Sequence, residues 1–425
     1  MLLALAVLAA QIDPLAAYLQ KEEPSYKVEA SAPVVTETVS TTKMRLSSLE
    51  WEGKVWKHDV EIIEPKQVEF QDTALLLITG DRGRHDEDIK NAEKLAPRLK
   101  MRVVVLYDVP NQPLFDDLRE DALIAHSFER YLATGDPSKV VLLPMVKSAK
   151  ACIEAVQEAT SEDRKGGVTR FIVTGASKRG WTTYLLASVE PRVVGLAPMV
   201  FDVLDFPAQL RHQFASWGAY SPMIADYTER GLQEILDTPE GQKLLDLVDP
   251  YRRRTKLQRA KLILLGANDP YWTTDALNLY WRDLVGHKAV LYAPNSGHGL
   301  EDHERVFDAL VAFARLTAKN KPLPALIYQW MAAGGNQEDP AVDFATILVR
   351  SPRPAKGRIW VAESANKNFS SAKWRVVLEK DSPGELRVPE STGKPGYRAA
   401  FGEFDMEVDG MKFRLSTTPV ILKGR

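Results

Sequence analysis

The chain has 425 residues, of which 55 are Lys or Arg and 57 are Asp or Glu, giving a formal net charge of −2. This length exceeds most single hydrophobic cores and predicts two domains, and the near-zero charge without a basic, aromatic-rich stripe argues against nucleic-acid binding. A single cysteine, Cys152, excludes a disulfide framework and a cysteine metal cluster, and we predict no cofactor or metal because no P-loop, dinucleotide or H-E-x-x-H motif is present.

Residues 1–10 are apolar and end in small side chains, which is typical of the core of a signal peptide. They predict a secreted or periplasmic protein. The basic start that usually precedes such a core is missing, so the first helix of a cytoplasmic protein is the alternative. The stretch is too short to cross a bilayer and no other segment is long and apolar enough, so we expect no membrane span.

The next 150 residues have the pattern of an α/β protein. Polar and apolar residues alternate over residues 43–63, which predicts antiparallel strands. Short apolar runs then alternate with helical segments, which predicts a parallel sheet covered by helices on both faces. The predicted elements are a strand at 74–79, a helix at 86–99, a strand at 103–107, and helices at 120–134 and 145–159, the last of which carries Cys152 as a core residue.

The segment Phe171–Trp181 has the pattern of a nucleophile elbow. An apolar strand ends at Gly175, Ser177 follows two residues later, and a helical run covers residues 182–189. An α/β-hydrolase uses such a sharp turn to expose a serine above the sheet, and glycines allow the helix to pass close to the strand. Gly180 lies three residues after Ser177, whereas the common pattern places the second glycine two residues after the serine. The alternative is a serine that caps the helix.

An acid and a histidine follow the next predicted strands. Asp269 comes after the strand at 261–265, and His298 after the strand at 288–292. The order Ser, Asp, His is that of α/β-hydrolases, and all three lie at the carboxyl ends of strands, where parallel sheets carry their active sites. His298 would take the proton of Ser177 and Asp269 would orient the imidazole. Asp275 competes for the acid role but is interpreted as a helix cap.

The oxyanion of such an enzyme needs two backbone donors. We predict the N–H of Lys178, directly after the serine, and that of Gly80 or Asp81, which follow the predicted strand at 73–79. The Lys178 and Arg179 side chains are cations that could meet an anionic or carbonyl-rich substrate. The alternative is that both are surface cations.

Residues 205–256 form a long insertion between two predicted strands. We interpret it as a cap over the active site, with Trp217 and Tyr220 shaping the substrate pocket and His212 near it, because long excursions in compact domains are usually functional. The alternative is a helical excursion packed on the sheet. The remaining candidates for the pocket are Arg179, Trp181, Tyr271 and Trp272.

The sequence pattern changes after residues 319–324. Alternating strand patterns punctuated by Pro, Gly and Ser continue to the end and predict an immunoglobulin-like β-sandwich. The predicted domains are therefore a hydrolase domain over 11–320 and a sandwich over 325–425.

The elbow Gly175–Trp181 resembles that of the PhoPQ-activated pathogenicity-related family, and the resemblance extends from about Asp13 to Thr417. It implies a secreted or envelope-located α/β-hydrolase with a C-terminal β-sandwich. The family's nucleophile, acid and histidine map to Ser177, Asp269 and His298, whereas residues 79–83 depart from a paired-glycine turn. Other matching segments are Val109–Leu114, Leu143–Met145, Val248–Tyr251, Gly266–Trp272, Ile359–Ala362 and Gly396–Ala399.

The leading hypothesis is a serine hydrolase that forms an acyl-enzyme. The elbow spacing is also similar to that of glucuronoyl esterases, which suggests carboxylic esters as the substrate. A serine peptidase or aminoacyl hydrolase on the same triad is the first alternative, and a non-catalytic binding or signalling protein with the same fold is the second. The intact series Ser177, Asp269 and His298 argues against the last.

Overall fold

The structure is a computed structural model that describes residues 13–161, 167–324, 326–335, 339–351, 355–390 and 395–424. The predicted signal segment lies outside the described residues. The helices are α1 Pro14–Leu19, α2 His85–Leu99, α3 Glu120–Thr134, α4 Leu142–Thr160, α5 Lys178–Ala187, α6 Phe206–Trp217, α7 Ala225–Thr228, α8 Leu232–Ile235, α9 Pro239–Val248 and α10 His303–Ala318.

The strands fall into a large N-terminal group and a C-terminal group. The first group is β1 Lys27–Ala30, β2 Val34–Val35, β3 Val39–Trp51, β4 Lys54–Pro65, β5 Thr73–Ile78, β6 Arg102–Leu106, β7 Arg170–Ala176, β8 Val193–Met199, β9 Ala260–Gly266 and β10 Lys288–Ala293. The second is β11 Ile327–Ala333, β12 Phe344–Ser351, β13 Lys356–Ser364, β14 Arg375–Asp381, β15 Glu385–Arg387, β16 Tyr397–Val408, β17 Met411–Ser416 and β18 Val420–Lys423.

The first group forms one mixed sheet in the order β1-β3-β4-β6-β5-β7-β8-β9-β10, with β2 on β3. The pairs β1–β3, β3–β4 and β4–β6 are antiparallel. From β6 to β10 every pair is parallel, so β5, β7, β9 and β10 end at the same edge. The antiparallel lead-in and the parallel sheet predicted from the sequence are confirmed.

Helices cover both faces of this sheet, as predicted. One core lies under α3, α4 and α5, and buries Cys152 on α4. The other lies under α2 and α10, where Val306, Leu310 and Phe313 repeat at the spacing of one helix face. The insertion consists of α6 to α9, which confirms its helical character. In the described part of the chain, every helix is too short or too polar to span a lipid bilayer.

The C-terminal strands form two antiparallel sheets, one ordered β11-β12-β15 and one ordered β14-β13-β16-β17 with β18 on β16. The sheets pack face to face, because Ile347 of the first touches the backbone of Gly402 in the second, where a Cβ would lie 2.5 Å from Ile347 Cδ1. The second core of the α/β domain continues into this sandwich through Ile347 and Phe404. The two-sheet architecture predicted from the alternating pattern is confirmed.

Candidate active site

Ser177 occupies the sharp turn between β7 and α5. Its backbone has φ 57° and ψ −123°, a strained conformation that residues with a Cβ seldom adopt. The helix begins at Lys178, four residues earlier than predicted, and passes so close to the strand that a Cβ on Gly175 would lie 2.8 Å from Arg179 Cβ. Ser177 stands at the N-cap position but its hydroxyl makes no capping hydrogen bond. The helix-cap interpretation of this serine is therefore wrong.

The structure brings Asp269 and His298 into contact. His298 Nδ1 lies 2.7 Å from Asp269 Oδ2, while the backbone N–H of Tyr271 donates to Asp269 Oδ1 at 2.9 Å. The Tyr271 ring stacks on the imidazole with a centroid distance of 4.2 Å. Because a carboxylate only accepts, Nδ1 carries a proton, and in the neutral imidazole Nε2 then presents a lone pair. Nε2 is buried and has no hydrogen-bond partner among the described residues, so it is free to accept a proton.

The loops that carry these two residues are locked together. The backbone N–H of Asn268 donates to Ser296 O at 2.9 Å. A Cβ on Gly266 would lie 2.1 Å from Gly297 O, so only glycine permits this approach. The residue type at the end of β9 thus sets the distance between the loop that carries the acid and the loop that carries the histidine.

Ser177 and His298 lie where two cavities meet. The first, of about 100 Å³, runs under the insertion and is mostly apolar. The second, of about 390 Å³, lies on the side of β5 and α2, and its walls mix aliphatic side chains with polar and charged ones. Walls of the first include Trp181, Phe206, Leu210, Tyr227, Tyr271 and Trp272. Walls of the second include Gly80, Asp81, Arg84, Asp88, Asn91 and His303.

The insertion contributes to the apolar cavity through other residues than expected. Trp217 and Tyr220 do not line it, which corrects the prediction made for them. Trp217 ends α6 about 10 Å along the helix from Leu210, and its indole N–H donates to Lys367 O at 3.2 Å instead. Tyr220 packs against Phe214 with a centroid distance of 5.4 Å.

The two cations beside the serine are already paired. Arg179 donates from both Nη atoms to the Glu120 carboxylate at 2.7 Å and from Nε to Val109 O at 2.6 Å. Lys178 Nζ donates to Asp121 at 2.8 Å, and Tyr227 donates to the same carboxylate at 2.9 Å. The expectation of surface cations is corrected, because both side chains are buried and paired with Glu120 and Asp121. Lys178 borders the first cavity and Arg179 the second, as expected for residues beside the substrate pocket.

The backbone groups predicted as oxyanion donors lie around Ser177. Lys178 is the first residue of α5, so its N–H has no acceptor within the helix. Gly80 and Asp81 line the second cavity together with Ser177. A Cβ on Gly80 would lie 2.4 Å from Arg179 Nη2, so only glycine lets the guanidinium held by Glu120 pack this close to the loop.

Residues 15–370 match the PhoPQ-activated pathogenicity-related protein family. The chain belongs to this family. Autocrine proliferation repressor protein A of Dictyostelium discoideum is 28% identical over 433 aligned positions, which cover 92% of this chain and 85% of that protein.

Two acetyl xylan esterases are among the solved structures similar to this family member. An acetyl xylan esterase from Paenibacillus sp. R4 is 16% identical with a TM-score of 0.51, covering 70% of this chain and 92% of that one. Acetyl xylan esterase 1 from Thermoanaerobacterium sp. JW/SL YS485 is 15% identical with a TM-score of 0.48, covering 70% and 91%. The likeness to the Paenibacillus structure shows the α/β-hydrolase fold.

A second serine–histidine contact in this family member has a different character. Ser48 Oγ lies 2.9 Å from His58 Nε2, and His58 Nδ1 donates to Tyr107 O at 2.9 Å. Both side chains are buried, and burial lowers the pKa of His58 to about 4 despite that backbone bond. The Ser48 hydroxyl also lies 3.0 Å from Ser148 Oγ on α4, and Ser48 lines a cavity of about 320 Å³ that is separate from those at Ser177. The pair therefore links β3, β4 and α4 away from Ser177.

Asp275 also has a partner other than the one expected. It stands at the N-cap position of the 3₁₀ turn Ala276–Leu279 without capping it, so the interpretation as a capping side chain is wrong. His212 Nε2 lies 3.0 Å from its carboxylate instead. The pair lines a separate cavity next to β11, so His212 is not part of the wall around Ser177.

The Glu120–Arg179 pair predicts a pH dependence of stability. Burial raises the pKa of Glu120, but the hydrogen bonds and charge of Arg179, with the charge of Lys178, outweigh it and hold the pKa at about 2. A depressed folded-state pKa stabilises the fold above the ordinary value of 4.5, and this contribution is lost as pH falls from 4.5 towards 2. Glu120→Gln removes the titration, so wild type and variant should differ most at pH 7.

We expect that difference in unfolding free energy to be about 1–2 kcal/mol at pH 7, below the value for a fully buried pair because the carboxylate is 37% exposed. Urea unfolding at several pH values measures it. A difference that stays constant from pH 7 to pH 2.5 would show that the pair does not hold Glu120 ionised.

Proposed function

We propose that this family member is a serine hydrolase in which Ser177 is the nucleophile, His298 the general base and Asp269 the residue that orients the base. One observation carries the proposal. A serine in a strained strand-to-helix turn, with no capping role, shares its cavities with a histidine whose Nε2 is free and whose Nδ1 is held by a carboxylate.

The chemistry follows from that arrangement. Ser177 Oγ attacks the carbonyl carbon of an ester and His298 Nε2 takes its proton, while the carbonyl oxygen becomes an oxyanion. The N–H groups of Lys178 and of Gly80 or Asp81 would bind that oxyanion. The C–O bond then breaks, and His298 returns the proton to the leaving alcohol. A water activated by His298 cleaves the acyl-enzyme and releases the acid.

The two cavities differ in the polarity of their walls, which supports a carboxylic ester with an apolar acyl group and a more polar alcohol. The wall of the apolar cavity is formed by aromatic and aliphatic side chains such as Phe206, Leu210 and Trp272. Such a wall favours an acyl group larger than acetyl, since each buried methylene contributes about 0.8 kcal/mol. The opposite cavity has hydrogen-bonding groups from Asp81, Asn91 and His303, which suit a polar leaving alcohol.

A panel of 4-nitrophenyl esters from acetate to octanoate, beside aminoacyl 4-nitroanilides, tests the proposal. We expect kcat/KM to rise by up to about fourfold per methylene until the cavity is filled, and the anilides to be poor substrates. Leu210→Trp narrows the cavity and should lower the octanoate-to-acetate ratio of kcat/KM by about 10-fold or more. Met223→Trp, at an exposed position of the same insertion, is the matched control and should keep the ratio.

Two results would contradict the substrate class. A preference for acetate that Leu210→Trp does not change would remove the acyl group from the apolar cavity. Faster cleavage of the anilides than of the esters would favour the peptidase alternative.

A further inference from the structure

The side chain that precedes the acid is bound by the C-terminal domain. Asn268 is adjacent to Asp269, and its amide Nδ2 donates towards three backbone carbonyls, those of Phe369, Ser370 and Ala372, at 3.0, 3.2 and 2.7 Å. These acceptors belong to residues 365–374, which join β13 to β14 and which we term the β13–β14 loop. The loop that carries the acid is thus attached to a segment about 100 residues further along the chain.

The loop that carries the histidine is bound by the same segment. Asn295 lies three residues before His298 and makes a two-way contact with Trp374. Its Nδ2 donates to Trp374 O at 3.1 Å, and its Oδ1 accepts from Trp374 N–H at 2.8 Å. One C-terminal loop therefore contacts both loops from which Asp269 and His298 project.

The β13–β14 loop is itself well fixed. The Phe369 and Trp374 side chains are each 1% exposed and belong to the core of the α/β domain. Asn368 Oδ1 accepts from the backbone N–H and the hydroxyl of Ser370 at 3.0 and 2.7 Å, and Ala372 N–H donates to Phe369 O at 3.0 Å. The backbone carbonyls that accept from Asn268 are consequently held in place independently of the Asn268 side chain.

We propose that the β13–β14 loop sets the geometry of the Asp269–His298 pair, with Asn268 and Asn295 as positioning residues. This role rests on the proposed function. The 2.7 Å contact between His298 and Asp269 requires two separate loops to keep their relative position. Misplacement of a catalytic group by about 1 Å can cost 10²-fold in rate. The sandwich is therefore part of the catalytic unit rather than an appended binding module.

The test compares Asn268→Ala with Asn278→Ala. Asn278 is the matched control, since its Nδ2 also joins the α/β domain to a C-terminal carbonyl, that of Pro419 at 2.8 Å, but lies in neither catalytic loop. With octanoate ester as substrate and active sites titrated with a fluorophosphonate, we expect Asn268→Ala to lower kcat per active site by about 10- to 100-fold with little change in KM. Asn278→Ala should keep kcat and lose only thermal stability.

A second variant tests the positioning role if Asn268→Ala does not fold. Asn295 has φ 57°, which glycine adopts without strain, so Asn295→Gly removes the side chain and retains the backbone conformation. It should show the same fall in kcat, to a smaller extent because Asn295 is exposed. Equal kcat in Asn268→Ala, Asn295→Gly and Asn278→Ala would refute the positioning role alone. Absence of any Ser177-dependent hydrolysis in the wild type would instead refute the proposed function, and the positioning role with it.

Discussion

Ser177→Ala is expected to lower kcat/KM for the best ester of the panel by about 10⁴-fold or more. The hydroxyl is the atom that would form the acyl-enzyme, and the members of a triad act as a unit, so neither His298 nor the oxyanion donors replace it. The residual rate would come from binding and from those donors. Steady-state kinetics with 4-nitrophenyl octanoate measure the loss.

The fold should tolerate this change. The Ser177 hydroxyl makes no capping hydrogen bond, so its removal should change the free energy of unfolding little. The backbone strain at φ 57° is present with alanine as it is with serine. An unchanged melting temperature and the loss of fluorophosphonate labelling would assign the effect to chemistry. Labelling of the variant at the wild-type rate would exclude Ser177 as the nucleophile.

Asp269→Asn is expected to lower kcat by about 10³- to 10⁴-fold. The amide of asparagine can donate to Nδ1 where the carboxylate only accepts. Such a bond would favour the tautomer with the proton on Nε2, which cannot act as a base, and it would no longer stabilise the imidazolium. Because the backbone N–H of Tyr271 donates to Asp269 Oδ1, the asparagine retains an acceptor for the turn and the loop should keep its shape.

The chain offers its own control for this variant. Asp275 and His212 form a second Asp–His pair at 3.0 Å, outside the cavities around Ser177. Asp275→Asn should leave kcat within about twofold, while loss of this largely buried ion pair lowers stability by about 1–3 kcal/mol. If Asp275→Asn were inactive and Asp269→Asn active, the assignment of the acid would be reversed.

The parallel sheet could be predicted from the sequence because buried parallel strands are continuous apolar runs separated by helical periodicity. The elbow could also be predicted, since strand, glycine, serine and helix are adjacent in the chain. The start of the helix after Ser177 is harder to predict from the sequence. Arg179 and Gly180 do not continue an apolar pattern, yet α5 begins at Lys178 because its start is fixed by packing against β7 and β8.

The polar partners of the site could not be predicted, because their signals are not local. Asp116–Asp121 has the composition of a solvated acidic loop, but α3 carries Glu120 and Asp121 to the cations of α5. Asparagine is common in turns, so the residue type of Asn268 does not indicate a long-range partner. Its acceptors lie more than 100 positions later and become visible only when the sandwich is placed against the sheet.

The attachment of both catalytic loops to residues 369–374 has a consequence for biosynthesis. Translation proceeds from the N-terminus, so Ser177, Asp269 and His298 all leave the ribosome before the segment that holds the last two in register. A nascent or prematurely terminated chain that ends before residue 365 would contain every reactive side chain and still lack their alignment. Under the proposed mechanism, full hydrolytic activity would therefore appear only after the C-terminal sandwich has folded.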